Sequence, residues 1–406
     1  MIDNSVAEPA LAPDRSRASL TQVAVLAALA AIGTLATNIF LPSLPQIGRS
    51  LDVSTATVTS AITVFLAAFA IGQLVVGPLS DRYGRYLPVV IGFIVFIAGS
   101  IWCTLATDLP NLLLGRVVQA LGACATSVLS RAIARDLFSG EALARTLALI
   151  MTAMAAAPGF SPLLGGALDN YFGWRSEFAF VAIFASLAAI AYATQLGETH
   201  RGVRTPLAPR SIMTTYLRLT FDRRFLIPAA TVSLILGGLY AMFAATPRIL
   251  IENMGFSPIG LGVFFAGTVL IVFAAGMTAT RLATAFGLQR PIQAGLLLAV
   301  IGGIAILLVA VSHGGFWPFL GGTAVFLLGM GIVNPLGTAQ TLSPFGANAG
   351  AASALLGFWQ MIGAAFGVWT SATLIDDAMT ALGVVLALGA TLALILYQFR
   401  ADTAAA

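Results

Sequence analysis

Residues 72–85 read GQLVVGPLSDRYGR, a glycine-spaced, doubly charged turn between two long apolar runs. Charged side chains are costly inside the hydrocarbon core of a bilayer, so Asp81-Arg82 followed by Arg85 mark a short hairpin on the cytoplasmic side of a membrane. Gly72, Gly77 and Gly84 are expected to let the flanking helices approach closely, and Pro78 to bend the end of the first one. The turn sets the reading of the whole chain. It implies an all-α membrane protein whose apolar runs are spans and whose arginines mark one side.

Composition points the same way. The chain has 406 residues, of which 59% are hydrophobic and only 9% charged, against a usual charged fraction of about 25%. A soluble enzyme would aggregate with so little polar surface, and apolar stretches long enough to be spans recur throughout. The net charge of +4 does not indicate nucleic acid, because all twenty basic residues are arginines scattered through short turns. The absence of lysine excludes a GxxxxGK[ST] phosphate loop, a Schiff base and a catalytic lysine. His200 and His313 are isolated, so they form no metal site. Cys103 and Cys124 fall in apolar runs and read as small buried hydrophobes. No cofactor is expected. An intramembrane enzyme would need a catalytic cluster at membrane depth, which two loop histidines do not supply.

Apolar runs of about 20 residues, enough to cross a bilayer, can be placed twelve times: 20–41, 57–78, 86–106, 109–131, 144–168, 176–196, 225–249, 258–281, 290–311, 316–337, 350–375 and 378–399. The run from Leu20 is too long for the core of a cleaved signal peptide and reads as a retained first span. With the N-terminus inside, sixteen arginines fall on cytoplasmic segments and three (Arg49, Arg175, Arg248) fall outside. Both termini are therefore expected in the cytoplasm. The longest polar stretch, 197–224, reads as a solvated cytoplasmic linker near anionic headgroups. It separates six-helix bundles at 20–196 and 225–399, with tails at 1–19 and 400–406. The halves echo each other. Pro45 leads to Val53-Ser54 as Pro247 leads to Phe256-Ser257, and Gly72 and Gly84 have counterparts in Gly276 and Gly287. The offset near 203 residues is that of a degenerate tandem repeat.

The 72–85 turn resembles the signature loop between helices 2 and 3 of the major facilitator superfamily of secondary transporters. TNIFLPSLPQI (37–47), GALDNYFGWRSEFAF (166–180) and GAASALLGFWQMIGAAFG (350–367) resemble its bicyclomycin-resistance/CflA-like drug efflux branch. The resemblance implies two pseudo-symmetric six-helix bundles working by alternating access. It also implies proton-driven export of small amphipathic drugs or metabolites across a bacterial inner membrane. A proton-coupled uptake symporter, a specific metabolite exporter or a non-transporting sensor would share the fold. The expected partners are a small-molecule substrate, protons and the lipid bilayer, without nucleic acid, for a monomeric chain.

A solute pathway in this architecture needs polar residues within apolar spans, where their burial has to be offset by function. Arg116 is the strongest case. In LLLGRVVQALG (112–122) it shares roughly one helical face with Gln119 and Gly122. It needs a carboxylate, an anion or carbonyls as acceptors, unless it snorkels to the headgroups. The R-x-x-Q-x-x-G pattern resembles the family's helix 4 motif, whose arginine lies beside the substrate and proton sites. The full pocket set is Asn38, Arg116, Gln119, Tyr240, Asn334, Trp359 and Gln360. Related exporters commonly carry an aspartate where Asn38 stands, and asparagine cannot carry a proton near neutral pH. The neutral pocket therefore favours uncharged solutes.

AAAPGFSPLLGG (155–166) places Pro158, Gly159, Pro162, Gly165 and Gly166 in one span, lowering its rigidity and allowing close packing. The run resembles the helix 5 motif of antiporters. Asp81, Arg82, Arg85, Arg131, Arg135 and Asp136, with the turn glycines Gly77 and Gly84, are expected to form an ion-pair latch. By the resemblance, Asp81 would sit against the N-terminus of helix 11. None of the sixteen acids lies mid-span. Asp81, Asp169 and Glu177 are the candidates for proton coupling, although a salt bridge to Arg175 is the simpler expectation for Glu177.

Overall fold

The computed structural model describes residues 19–200 and 209–399. The expected tails and Arg201 and Arg204 of the linker lie outside the described residues. Among the described residues, twelve helices are long and apolar enough to cross a membrane. They are α1 (Leu20–Asn38), α2 (Ser60–Tyr83), α3 (Tyr86–Leu105), α4 (Leu109–Leu137), α5 (Gly140–Phe172) and α6 (Arg175–Gln195), then α7 (Arg223–Pro247), α8 (Pro258–Phe286), α9 (Gln289–Val311), α10 (Phe316–Leu342), α11 (Ala349–Thr373) and α12 (Ala378–Gln398). A further helix, Pro209–Phe221, lies in the linker. No strand occurs among the described residues.

Local chemistry sets the helix ends. The first free N–H groups of a helix need acceptors. Asp108 accepts from the backbone of Asn111 at 2.8 Å, Ser257 from Gly260 at 3.1 Å and Asp377 from Thr380 at 2.7 Å. Several acids flanking the spans are thus helix caps. Gly84 and Gly287 end α2 and α8 with φ of +88° and +71°, a conformation that disfavours any residue with a Cβ.

Two span ends differ from the sequence reading. α2 runs through Pro78 to Tyr83. Proline removes one backbone donor, which frees the carbonyl of Leu74 four residues back. The Tyr216 hydroxyl of the linker helix donates to that carbonyl at 3.1 Å. The α1 run ends at Asn38, then continues as short turns over Leu41–Ser43 and Leu44–Ser50, each with a proline at its start. The linker is also more than a solvated connector, because Tyr216 and Leu219 are buried against Phe225, Leu355 and Leu356.

Helix packing repeats with an offset of six. α1 packs on α4, α5 and α6 as α7 packs on α10, α11 and α12. α3 packs on α4 and α6 as α9 packs on α10 and α12. The major cross-contacts, α2 with α11 and α5 with α8, exchange with each other under the same offset. The chain therefore has the pseudo-symmetric twelve-helix architecture that the repeat foreshadowed. Cys103 and Cys124 are free and buried.

Candidate functional site

The seam between the two sets of six helices is tight at one end and open at the other. Away from the Asp81 turn, backbone meets backbone. A Cβ on Gly166 would come within 2.7 Å of the Pro258 carbonyl oxygen, and one on Gly262 within 2.5 Å of the Leu163 Cα. Thr55 also donates across this end of the seam to Glu252 at 2.5 Å. Nearer the middle, a Cβ on Gly159 would meet the Val269 side chain first, at 2.6 Å, with the Ala266 Cα farther off at 3.5 Å. At the turn end, Gly77 and Gly350 have nothing within 4 Å of an added Cβ. Gly77 therefore does not serve close helix approach here, whereas Gly72 does, against Cys124. A cavity of about 440 Å³ opens at this end, lined among others by Gln73, Asp81, Arg131, Arg135, Tyr216 and Ser353.

Arg116 is fully buried and does not snorkel. Its Nη1 donates to the Ala36 carbonyl at 3.0 Å and to Gln119 Oε1 at 2.5 Å, and its Nε donates to the Ala61 carbonyl at 3.3 Å. Ala36 lies in the last turn of α1, where carbonyls lack helical partners and the helix dipole is negative. The arginine therefore caps α1 and ties it to α2. Phe40 and Phe65 lie 4.6 and 4.1 Å from the guanidinium carbon, a cation–π enclosure. Gln119 passes the network on by donating to Ser100 at 2.8 Å. Nη2 has no hydrogen-bond partner.

The other pocket residues are not gathered around Arg116. Asn38 is buried and donates to the Thr34 carbonyl of its own helix, with Oδ1 unpartnered. Tyr240 packs edge-on to Phe243. Trp359 packs beside Phe358 in the cluster that holds the linker helix, and its ring N–H is unpartnered. Gln360 reaches Thr338 at 3.5 Å. Asn334 is half-buried. None of the seven lines the open cavity.

In the charge cluster, Arg85 pairs with Asp81 at 2.8 Å and with Asp136 at 3.1 Å, joining the α2–α3 turn to α4. Burial works against the Arg85 charge, but bonds to the two aspartates outweigh it and hold the pKa above its ordinary value. Arg82 lies over Tyr83, and Arg131 approaches the Met154 sulfur. Among the described residues neither they nor Arg135 make an ion pair, so the latch is narrower than expected. Asp81 is half exposed and bonded to Arg85, and the open cavity lies between it and the start of α11. The expected contact with that helix N-terminus is not made in this arrangement.

Glu198 was not foreseen. It accepts from the backbone N–H of Arg85 at 2.9 Å, of Tyr86 at 3.3 Å and of His200 at 2.8 Å, capping the start of α3 from the far end of α6. Burial would raise its pKa, but these backbone donors outweigh that and hold it below the ordinary carboxylate range. A carboxyl with a depressed folded pKa stabilises the fold above its unfolded value, about 4.3, and loses that contribution as pH falls through the folded value. Glu198→Gln is therefore expected to melt lower than wild type at pH 7. In thermal melts of purified protein the difference closes as pH drops below about 4.

The expected Glu177–Arg175 salt bridge is absent. Positions two apart on a helix face different ways. Arg175 donates to the Ala106 carbonyl at 2.8 Å and lies over Trp174, while Glu177 is buried on the other side, where Ser43 Oγ donates to it at 2.5 Å.

Comparison with known proteins agrees with this architecture. The Major Facilitator Superfamily model matches residues 26–368. An MFS-type transporter of Bacillus subtilis (strain 168), YdgK, is 30% identical over 83% of this chain and 85% of its own length. A bicyclomycin resistance protein homolog of Haemophilus influenzae is 28% identical, covering 90% of this chain and 92% of its own. The crystal structure of a D-xylose-proton symporter superposes with a TM-score of 0.74 over 94% of this chain and 97% of that one, at 17% identity, a likeness of fold. The chain is a multi-pass membrane transporter, not an enzyme, and belongs to the major facilitator superfamily.

Proposed function

We propose that this chain exports small amphipathic drugs or metabolites by alternating access, in exchange for protons. The observation that carries the reading is the graded seam: backbone-tight at one end, looser in the middle, where the Val269 side chain comes between Gly159 and the facing backbone, and open at the other to a cavity with charged and apolar walls. Two six-helix bodies rocking about the middle of such a seam would expose a solute path to each side in turn. The drug-resistance name of the Haemophilus influenzae relative and the helix 5 glycines and prolines support export. The bacterial relatives support an inner-membrane location, and the arginine bias supports an orientation with the Asp81 turn and both termini in the cytoplasm. The open cavity then faces the cytoplasm, where an exporter loads. In this reading the solute enters from the cavity and meets Arg116, Gln119, Asn38, Tyr240, Asn334, Trp359 and Gln360 as the two bodies begin to rock, before the seam opens at its other end. Asp81, Arg85 and Asp136 steady the turn during the exchange.

Expression in an efflux-deficient bacterial host tests this proposal. The expected result is at least severalfold resistance to neutral amphipathic antibiotics and less to cationic ones. Addition of an uncoupler should abolish it. Unchanged susceptibility across a broad panel, at confirmed membrane expression, would count against export.

A further inference from the structure

At the closed end of the seam, α5, α6 and the turns after α1 enclose a carboxyl group to which no cation is bonded among the described residues. Glu177, in the first turn of α6, is fully buried. Its Oε1 accepts from Ser43, and its Oε2 has no hydrogen-bond partner at all. A second acid, Asp169 of α5, lies in the same wall, 5% exposed and within reach of Ser43. The Gln46 amide, turned to donate, bonds to Asp169 Oδ2 at 2.6 Å.

Among the described residues, no surrounding element neutralises Glu177. The segment just after α1 presents the Ile39 carbonyl and the Phe40 ring, and α5 presents Gly165 and Asp169. Arg49, at the end of the Leu44–Ser50 turn, acts on Asp169. Arg116 of α4 is bonded to carbonyls and Gln119, and Arg175 of α6 is turned away to Ala106. An ionised carboxylate sealed from water without a partner is far costlier than the neutral acid. The start of the α6 dipole favours the anion only modestly.

We infer that Glu177 is a proton-binding site filled from the solvent at this end of the seam, and that its proton holds that end closed. The turn carrying Ser43 is backed by α7 and α8 across the seam. When those helices move away, water reaches Glu177. Its O–H bond breaks, the proton passes to water, and the electron pair stays on the carboxylate. Closure requires the reverse step. The proton enters and leaves on the same side, so the site moves no net charge across the membrane and differs from a coupling proton. It rests on the alternating-access part of the proposed function, and is independent of the solute and of the driving ion.

Spin labels at Thr57→Cys and Asn253→Cys, exposed positions on either side of the closed seam, give its width in lipid nanodiscs without substrate or gradient. The native cysteines are buried and remain unlabelled. As pH rises from about 5 to 9, a longer-distance population should grow in the wild-type background. Glu177→Gln should stay at the short distance throughout. Asp169→Asn, which removes a like charge, should shift the midpoint about one unit lower. A wild-type pH response in Glu177→Gln overturns the inference, as does a pH-independent distance in wild type. If Glu177→Gln does not fold, an unshifted Asp169→Asn midpoint overturns it. Uncoupler-sensitive efflux measured in parallel separates the two proposals. Efflux without the pH response removes the Glu177 proton site alone, and the pH response without efflux removes the exporter alone.

Discussion

Gly165→Ala is expected to abolish the folded transporter. A Cβ at this position would run into the carbonyl group of Ile39, where α5 crosses the end of α1, and would crowd Glu177 Oε1 at 3.2 Å. Neither backbone can yield, because the Ile39 segment is held by the turn that follows and α5 is packed on α8 from the other side. Overpacking of this kind costs about 3 kcal/mol or more when the obstacle is main chain. Gly357→Ala is the matched control. The atom it meets is the end of the flexible Gln73 side chain, which can rotate away into the adjoining cavity. Fluorescence-detected size-exclusion chromatography after a heating series should show Gly357→Ala close to wild type. Gly165→Ala should be aggregated or melt far lower. Equal profiles for the two would remove the backbone argument.

The second large effect is expected at Arg116. Truncation to alanine empties a site walled by Phe40 and Phe65 and withdraws donors from Ala36, Ala61 and Gln119. Cavity formation around a side chain of this size costs about 3–5 kcal/mol, and an orphaned carbonyl adds about 1–3 kcal/mol. Arg116→Met separates the two parts, since it keeps most of the volume and supplies no donor. It should retain most of the stability and still lose transport, because α1 would no longer be tied to α2. Arg116→Lys keeps the charge but cannot reach both carbonyls in the guanidinium's fork. The expected order of melting temperature is wild type, then Met and Lys, then Ala. A transporting Arg116→Met variant would show that the cap on α1 is dispensable.

The fold was legible because its signals are local. A span needs only about 20 apolar residues, and a turn announces itself through glycine and arginine. The chain reads out both without reference to distant contacts. The repeat was legible too, since Gly84 and Gly287 need the same left-handed backbone and recur at the offset. The site was read only in part. Arg116 and Gln119 stood out because polar groups are rare at depth, and the helical spacing that aligns them is local. Their acceptors, Ala36 and Ala61, are backbone carbonyls of alanines and carry no trace in the sequence. Glu198 looked like one polar residue in a polar linker. What sets its role is the geometry of three N–H groups, two of them at Arg85 and Tyr86, beyond the reach of any local pattern. Arg175 and Glu177, in contrast, looked like a pair because they are close in sequence, and helical geometry separates them.

The meeting of Pro78, Leu74 and Tyr216 has an evolutionary consequence. The vacancy left by one missing hydrogen on Pro78 is filled by a hydroxyl far along the chain. In a lineage that replaces Pro78, the returning amide hydrogen would share the Leu74 carbonyl, and the tyrosine hydroxyl would no longer be needed to satisfy it. Phenylalanine at 216 then becomes neutral. The two positions should change together in descendants of this chain, with the proline and the hydroxyl gained or lost as a unit, while Leu74, contributing only its carbonyl, drifts among apolar types.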